Sequence, residues 1–343
     1  MRDAGYARWG IGAFVLAAAM SGNPAVGGGD GTAELAREVR DRGWIIYSAR
    51  TEQGDWDLFL MRPDGSERRN LTRTPAASEV AARFSPDGRR ILFNRMPKGE
   101  VLDNNKYGLY ELVLADSEAS NPVSWGRDYP WASWGLGGTQ IACLARDGVR
   151  IHDAATRALL RRLGRKGIVE QLVWSPDGRW FCGTANGLGE QWAIGRLDAA
   201  SGEINRVSDG DCFNCTPDWF PDSRRVIYSK GHPKTEGWAQ LWMADGEGRE
   251  RRMLYGEIGR HVYGGCVSPD GKYVLFTRSR EDLGVVDNSR TTMALMRFSE
   301  APVVGGDSPV LRRQYPQARD GPVLDLAEGW EPHWRMAKPG GGR

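Results

Sequence analysis

Histidines and carboxylates are the side chains of this sequence whose types suit metal or acid–base chemistry. Three of the four histidines, His232, His261 and His333, are the candidates for such chemistry, because imidazoles with carboxylates are a common donor set for divalent metals. The carboxylates that could join them each lie shortly before an aromatic residue: Glu79, Glu170, Asp218 and Glu331. Apart from Glu331 and His333, which are two positions apart, these residues lie in separate segments, so they form one site only if the fold brings those segments together.

Cysteine spacing offers a second kind of chemistry. Cys212 and Cys215 form a Cys-x-x-Cys motif (DCFNC), which in an oxidising compartment is either a small disulfide loop or two free thiols. A zinc site would need a second pair, and Cys143, Cys182 and Cys266 do not provide one. Since the chain has 5 cysteines, at least one is unpaired within the chain.

Composition excludes several functional classes. The 343 residues are 40% hydrophobic and 26% charged, which is typical of a globular protein, and a net charge of +2 gives no field that would gather nucleic acid. The sequence has no Gly-x-Ser-x-Gly, phosphate-loop or His-Glu-x-x-His motif, which argues against a fused hydrolase domain, a nucleotide-binding loop or a zincin site.

Residues 1–30 have the pattern of an export signal. A basic start precedes the apolar stretch WGIGAFVLAAAM, which is too short to span a membrane, and small residues follow it. Cleavage is expected between Ala19 and Gly27. No later stretch approaches 18 apolar residues, so we expect a soluble mature protein that is periplasmic or secreted.

One phrase recurs along the chain and organises the rest of the sequence. It appears as RFSPDGRRILFNR, VWSPDGRWFCGTA, WFPDSRRVIYSK and CVSPDGKYVLFTR, with a degraded copy, SWGLGGTQIACLA. We place the anchor residues of the five copies, which precede the turn, at Phe84, Trp134, Trp174, Phe220 and Val267. This spacing is typical of a repeat architecture.

Each copy of the phrase predicts a β-hairpin. Ser-Pro-Asp-Gly supplies Pro for a fixed φ, Asp for a side-chain cap and Gly for a positive φ, and an alternating apolar strand follows. A second Asp-Gly-type turn recurs later in each unit, as in MRPDGSERRNLT. Four strands in each unit of this length indicate a propeller blade.

The two ends of the chain complete this pattern. Residues 43–72 contain three strands of a blade but lack the first, and EGWEPHWR near the C-terminus supplies one that ends at Trp334. We therefore predict an all-β, six-bladed propeller of four-stranded antiparallel blades over 43–336, closed by the C-terminal strand, with a lead-in at 31–42 and a flexible tail at 337–343. The alternatives are a β-sandwich, or a seventh blade formed by residues 301–328.

At these residues the chain resembles the TolB-type propeller repeat, a relative of the WD-repeat propellers. DWDLFLMRPDGSERRNLTRTP is especially close to that family's pattern. The resemblance implies a propeller of the bacterial envelope that often binds other proteins. The family's founding member carries an α/β domain ahead of its propeller, for which 31–42 leaves no room, so its partners in the Tol complex are not carried over.

The propeller hypothesis gives the scattered polar residues a common location. The loops that enter each first strand and those that join the second and third strands open on one face, which we call the loop face. We predict a ligand-binding channel mouth there, lined by Glu79, Glu170, Asp218, His261, Glu331 and His333. A divalent metal there would use His232, His261 and His333.

Three functions are compatible with this arrangement. The first is an exported, monomeric binding scaffold for an envelope protein or glycan. The alternative is a metal-dependent polysaccharide lyase or hydrolase with its site in the channel mouth, which rests on the three histidines. Oligogalacturonate lyases resemble this architecture and hold a metal in their channel, but no matching His-containing motif aligns here. The third is a purely structural ring.

Overall fold

The computed structural model describes residues 29–100, 108–164, 167–231, 237–280, 290–306 and 308–336. Its strands form six separate sheets, each built on four antiparallel strands. The innermost strands of successive sheets contact one another in a closed cycle, so the sheets are the blades of a ring. The predicted all-β, six-bladed propeller is confirmed.

The first three blades follow the order of the chain. Blade 1 contains β1 (Trp44–Arg50), β2 (Trp56–Met61), β3 (Arg69–Asn70) and, at its inner edge, β25 (Trp330–Arg335). Blade 2 contains β4 (Ala77–Phe84), β5 (Arg90–Pro97), β6 (Glu111–Asp116) and β7 (Val123–Gly126). Blade 3 contains β8 (Trp131–Gly135), β9 (Gln140–Ala145), β10 (Gly148–Asp153) and β11 (Leu159–Leu163), with a short 3-10 turn (Leu136–Gly138) after β8.

The last three blades repeat the pattern, with one insertion. Blade 4 contains β12 (Ile168–Trp174), β13 (Trp180–Ala185), β14 (Ala193–Asp198) and β15 (Ile204–Arg206). Blade 5 contains β16 (Asn214–Trp219), β17 (Arg225–Gly231), β18 (Ala239–Asp245) and β19 (Arg252–Glu257). Blade 6 contains β20 (Arg260–Val267), β21 (Tyr273–Arg280), β22 (Thr292–Arg297) and β24 (Val323–Glu328).

The segment between β22 and β24 does not form a seventh blade. It contains β23 (Val303–Gly305), which pairs in parallel with β19 and adds a fifth strand to blade 5, and α2 (Pro309–Gln314). Leu311 of α2 is fully buried in a hydrophobic cluster shared by blades 4 and 5. The long connection is therefore used to cover the outer edge of a neighbouring blade.

The Ser-Pro-Asp-Gly turns join the first and second strands, as predicted. In blade 2 the Ser85 hydroxyl donates to Asp87 at 2.6 Å, and the Asp87 carboxylate also accepts the Arg89 N–H at 3.1 Å. Ser175 with Asp177 and Ser268 with Asp270 repeat this contact at 2.7 and 2.6 Å. These aspartates are thus turn caps. We call the face formed by these turns the turn face.

The anchor residue of blade 5 is Trp219, not Phe220. Trp219 ends β16, and its indole N–H donates to the Val173 carbonyl oxygen at 3.2 Å, just as Trp134 donates to the Arg83 carbonyl oxygen at 3.1 Å. Phe220 instead occupies the position that Ser85 holds in blade 2. The prediction was one residue out because Phe220 is itself aromatic.

Strand β25 closes the ring. Ile45 on β1 lies opposite Trp334 on β25 in an antiparallel ladder, so the last strand completes the first blade as predicted. Trp334 is 2% exposed, and its indole N–H donates to the Arg42 carbonyl oxygen at 2.8 Å. It also stacks on Tyr273 of blade 6 with ring centroids 5.6 Å apart. One side chain therefore joins blade 6, blade 1 and the segment that precedes β1.

Helix α1 (Gly29–Val39) packs against the junction of blades 6 and 1. Leu35 and Val39 are fully buried there, and Glu38 accepts hydrogen bonds from Arg297 and Tyr273. The Arg297 guanidinium and the Tyr273 hydroxyl hold the pKa of Glu38 below its ordinary value. Within the described ranges, neither α1 nor α2 is long and apolar enough to cross a membrane.

Candidate functional site in the central cavity

The inner strands carry a repeated backbone irregularity. In five of the six blades, the residue three positions before the anchor has a positive φ between 49° and 62°: Ala81, Gln171, Thr216, Gly264 and Glu331. The ladder with the neighbouring strand shifts register around these positions, which makes them β-bulges. Bulges of this kind occur next to binding sites, where they redirect side chains.

The bulged strands surround a cavity of about 530 Å³ on the axis of the ring. Two layers of residues line it, each layer with one residue from every blade. The layer one position before the anchors contains Arg83, Ser133, Val173, Asp218, Cys266 and His333. The layer three positions before the anchors contains Ala81, Trp131, Gln171, Thr216, Gly264 and Glu331.

The charged groups of this cavity are not paired with one another. The Arg83 guanidinium donates to two backbone carbonyl oxygens, those of Ala82 at 3.0 Å and Glu331 at 3.3 Å. Among the residues that the structure describes, neither Arg83, Asp218 nor Glu331 has an ion-pair partner within 4.0 Å. Glu331 is buried, and Arg83 and Asp218 are half-buried. Withdrawing charges from water without partners is costly, so this arrangement is unusual for a purely structural core.

Glu331 is the carboxyl group of the cavity wall that is withdrawn into the protein. It is 8% exposed, and its Oε2 atom has no hydrogen-bond partner among the described residues. Burial raises the pKa of Glu331 to about 7, even though Arg83 lowers it. The group therefore changes between a proton donor and an anion near neutral pH.

Asp218 lies across the ring from Arg83, since blades 5 and 2 are opposite. Its Oδ1 accepts the Trp219 N–H at 2.8 Å. Burial raises the pKa of Asp218 to about 6, and Arg83 and the Trp219 N–H act in the opposite direction. Two acids that titrate near neutral pH thus face one cavity, a feature of binding and catalytic sites.

His333 is a neutral member of the lining. Its Nδ1 accepts the Phe84 N–H at 3.3 Å, so the proton of the neutral ring lies on Nε2. Burial lowers the pKa of His333 to about 3, and the positive charges of Arg83 and Arg335 act in the same direction. At neutral pH this histidine is an uncharged hydrogen-bonding group.

Three of the predicted mouth residues do not line the cavity. Glu79, Glu170 and His261 lie four to six residues before their anchors, nearer the loop face, and all are buried. Glu79 pairs with Arg95 at 3.1 Å, and the His261 Nδ1 accepts the Ala239 N–H at 3.1 Å. The cavity lining therefore unites Asp218, Glu331 and His333, but not the other three.

The predicted metal ligands do not assemble within the described residues. No group of three or more His, Cys, Asp or Glu side chains in those ranges is placed to hold a metal ion. His261 and His333 have the separate contacts given above, and His232 lies outside the described residues. The metal hypothesis stays a prediction.

Cys212 and Cys215, the proposed disulfide pair, are two free thiols in the structure. The Cys212 thiol contacts the Gly231 carbonyl oxygen. Burial raises the pKa of Cys212 to about 12 and that of Cys215 to about 11, so both are protonated at neutral pH. Neither thiol has the lowered pKa of a reactive cysteine.

Several cavity residues were not predicted from the sequence, and the charged residue Arg83 is the most informative of them. It stands one position before Phe84, in the column that holds Asp218 before Trp219 and His333 before Trp334. Alternating strand residues share a face, so an alignment of the repeats on their anchors would have placed all three on the axis. The repeat contains this information, but the anchor of blade 5 was placed one residue too late, so the three residues were not aligned.

Comparison with known proteins supports the fold. No protein-family model matches the sequence. An uncharacterised protein of Agrobacterium fabrum is 28% identical over 251 residues, which cover 68% of this chain and 75% of that protein.

Two solved structures share the architecture. TolB from Acinetobacter baumannii is 17% identical with a TM-score of 0.59, over 86% of this chain and 67% of that one. A TolB candidate from Agrobacterium tumefaciens is 20% identical with a TM-score of 0.53, over 74% of this chain and 84% of that one. In fold, this chain is a TolB-like six-bladed β-propeller.

Proposed function

We propose that this protein is an exported binding protein that holds a charged ligand in its central cavity. The observation that carries the proposal is a set of charges on the cavity wall with no ion-pair partner in the part of the chain that the structure describes: Arg83, Asp218 and Glu331. A ring that served only to support its own fold gains nothing from these groups, because charges that are partly or fully withdrawn from water without an ion-pair partner destabilise a protein. A ligand with complementary groups would offset that cost.

The loop face is the second part of the proposed binding scaffold. It offers an exposed aromatic, Phe213, which is 58% exposed and packs edge-on against Trp192 at 5.8 Å. Aromatic side chains contribute strongly to protein interfaces. An envelope protein or glycan that docks there would complete the scaffold that the sequence predicts.

Binding is favoured over metal-dependent catalysis by the position of the histidines. In the described part of the chain, the only predicted metal ligand that lines the cavity is His333, and its Nδ1 already accepts a backbone N–H. The lyase or hydrolase alternative would need His232 and His261 to join it. The two acids and the arginine need no such rearrangement to contact a ligand.

The test is a thermal-unfolding screen of the protein recovered from the periplasmic fraction of expressing cells. The panel contains amino acids, short peptides, uronic acids and amino sugars. A compound present at a hundred times its dissociation constant adds about 2.7 kcal/mol of stability. We expect at least one compound to stabilise the wild type but not Asp218→Asn, while the exposed-site control Glu203→Gln responds like the wild type.

Two outcomes would contradict the proposal. If no compound stabilises the wild type, or if Asp218→Asn responds equally to every compound that does, the cavity is not a binding site. If the chain stays in the cytoplasm with Met1 still attached, export is wrong.

A further inference from the structure

We infer that the ligand of the central cavity is a short peptide with a free amino group and a free carboxyl group. This inference rests on the proposed function and gives the chemical class of its ligand. It follows from the kinds of charge on the cavity wall, their distribution among the blades, and two uncharged polar atoms with no hydrogen-bond partner among the described residues.

The charges on the cavity wall balance. Arg83 and Arg335 are positive, and Asp218 and Glu331 are negative when ionised. The other titratable groups in the lining, His333 and Cys266, are neutral at neutral pH, because burial lowers the pKa of His333 and raises that of Cys266 to about 12. A simple anion would meet two carboxylates, and a simple cation would meet two guanidinium groups. A zwitterion satisfies both signs and leaves the cavity neutral.

The charges are also separated in space. Arg83 is on blade 2 and Asp218 on the opposite blade 5, and the structure gives no ion pair between them. Arg335 lies at the turn-face end, where one guanidinium nitrogen contacts the Asp87 carbonyl oxygen and the other, Nη1, has no partner among the described residues. A ligand carboxylate near the arginines and an ammonium near Asp218 would therefore span the cavity. Guanidinium groups bind carboxylates with two parallel hydrogen bonds.

Glu331 gives the ammonium a second contact. It comes from blade 1, one layer nearer the loop face than Asp218, and its Oε2 is unpartnered. A primary ammonium has three N–H donors, which two carboxylates can share. A quaternary cation has none, so these acceptors select an amine.

Two uncharged groups match a peptide bond. The Asn94 Oδ1 acceptor and the Trp131 Nε1 donor line the cavity, and neither has a hydrogen-bond partner among the described residues. Asn94 is 6% exposed, and its Nδ2 is fixed on the Pro130 carbonyl oxygen at 2.7 Å, so Oδ1 is held in place. A peptide N–H and C=O would satisfy this acceptor and this donor. A free amino acid has no peptide group to do so.

The size of the cavity agrees with such a ligand. A volume of about 530 Å³ lies within the usual range of about 300 to 1,000 Å³ for small-molecule sites. The walls also carry the apolar faces of Trp131 and Trp134. A short peptide with small apolar side chains would contact both.

The experiment compares four matched probes by calorimetry at pH 7.5. They are L-alanyl-L-alanine, its N-acetyl form, its C-terminal amide, and the form with both caps. We expect the free dipeptide to bind, and each single cap to weaken affinity roughly ten- to hundredfold, because each removes a charged hydrogen-bonding group. Glu203→Gln should bind all four probes like the wild type.

Two variants test which cavity residue contacts the amino end of the ligand and which contacts the carboxyl end. Asp218→Asn should weaken mainly the advantage of the free amino group, and Arg83→Gln should weaken mainly that of the free carboxyl group. If Arg83→Gln does not fold, Arg83→Lys keeps the charge but loses the paired hydrogen bonds. A variant that merely loosened the cavity would weaken all four probes alike.

Three results would overturn the inference. The doubly capped probe could bind as well as the free dipeptide, or both variants could respond identically to the two caps. The third is that L-alanyl-L-alanine fails to bind while an uronic acid or amino sugar stabilises the protein through Asp218. That last result would reject the peptide ligand and leave the proposed binding function intact. If no compound binds, both the peptide ligand and the proposed binding function are rejected.

Discussion

Glu331→Gln should stabilise the protein at pH 8 by roughly 3 kcal/mol and leave it nearly unchanged at pH 4. Burial raises the pKa of Glu331 from an ordinary value of 4.5 to about 7. The folded state therefore holds this proton more tightly than the unfolded state. The wild type loses stability as the pH rises from 4.5 through 7, and a glutamine at this position cannot lose a proton.

Urea unfolding at pH 4, 6 and 8 measures this effect. The control is Glu203→Gln, at an exposed position, which should follow the wild type at every pH. If Glu331→Gln and the wild type keep the same stability difference from pH 4 to pH 8, Glu331 is not the buried, unpaired acid that the structure describes. A positive result would identify a residue that costs stability, as residues retained for binding commonly do.

Trp334→Ala should destabilise the protein by about 3–5 kcal/mol, the usual range for removing a buried tryptophan. Trp334 is 2% exposed, stacks on Tyr273 of blade 6 and donates its indole N–H to the Arg42 carbonyl oxygen. Its loss leaves a cavity at the point where the last strand closes the ring. That carbonyl oxygen also loses its partner.

Trp192→Ala is the matched control for this effect. Trp192 is only partly buried and packs against the exposed Phe213, so its removal should cost much less. Urea unfolding of both variants at one pH gives the comparison. Equal losses of stability in the two variants would show that Trp334 makes no special contribution to the closure of the ring.

The fold could be predicted because the residues that form the hairpin turns recur in the sequence and mark the repeat. Ser85 and Asp87 are required by the hairpin itself, so their counterparts recur in other blades and mark where each unit begins. Closure was predictable for the same reason, since 43–72 lacks a first strand and the C-terminus supplies it. The segment 301–328 carries no repeat, and nothing local indicated that β23 would cross to the edge of blade 5.

The site could be predicted only in part. Side chains that line the axis depend on where each inner strand bulges, and a positive φ at Gln171, Thr216 or Glu331 has no marker in the residue type. The sequence thus directed attention to carboxylates and histidines near the loop face. The structure places two of those carboxylates, Asp218 and Glu331, deeper on the cavity wall, and it adds Arg83.

The central claim is that Arg83, Asp218 and Glu331 face one cavity without pairing. Carbon-13 NMR of the side-chain carboxyl groups tests it most directly, in the wild type and in Arg83→Gln. The wild type should give a pKa of about 7 for Glu331 and about 6 for Asp218. Both pKa values should rise in Arg83→Gln, because the guanidinium lowers both. Carboxyl groups that titrate near 4, or that do not respond to the loss of Arg83, would contradict the shared cavity.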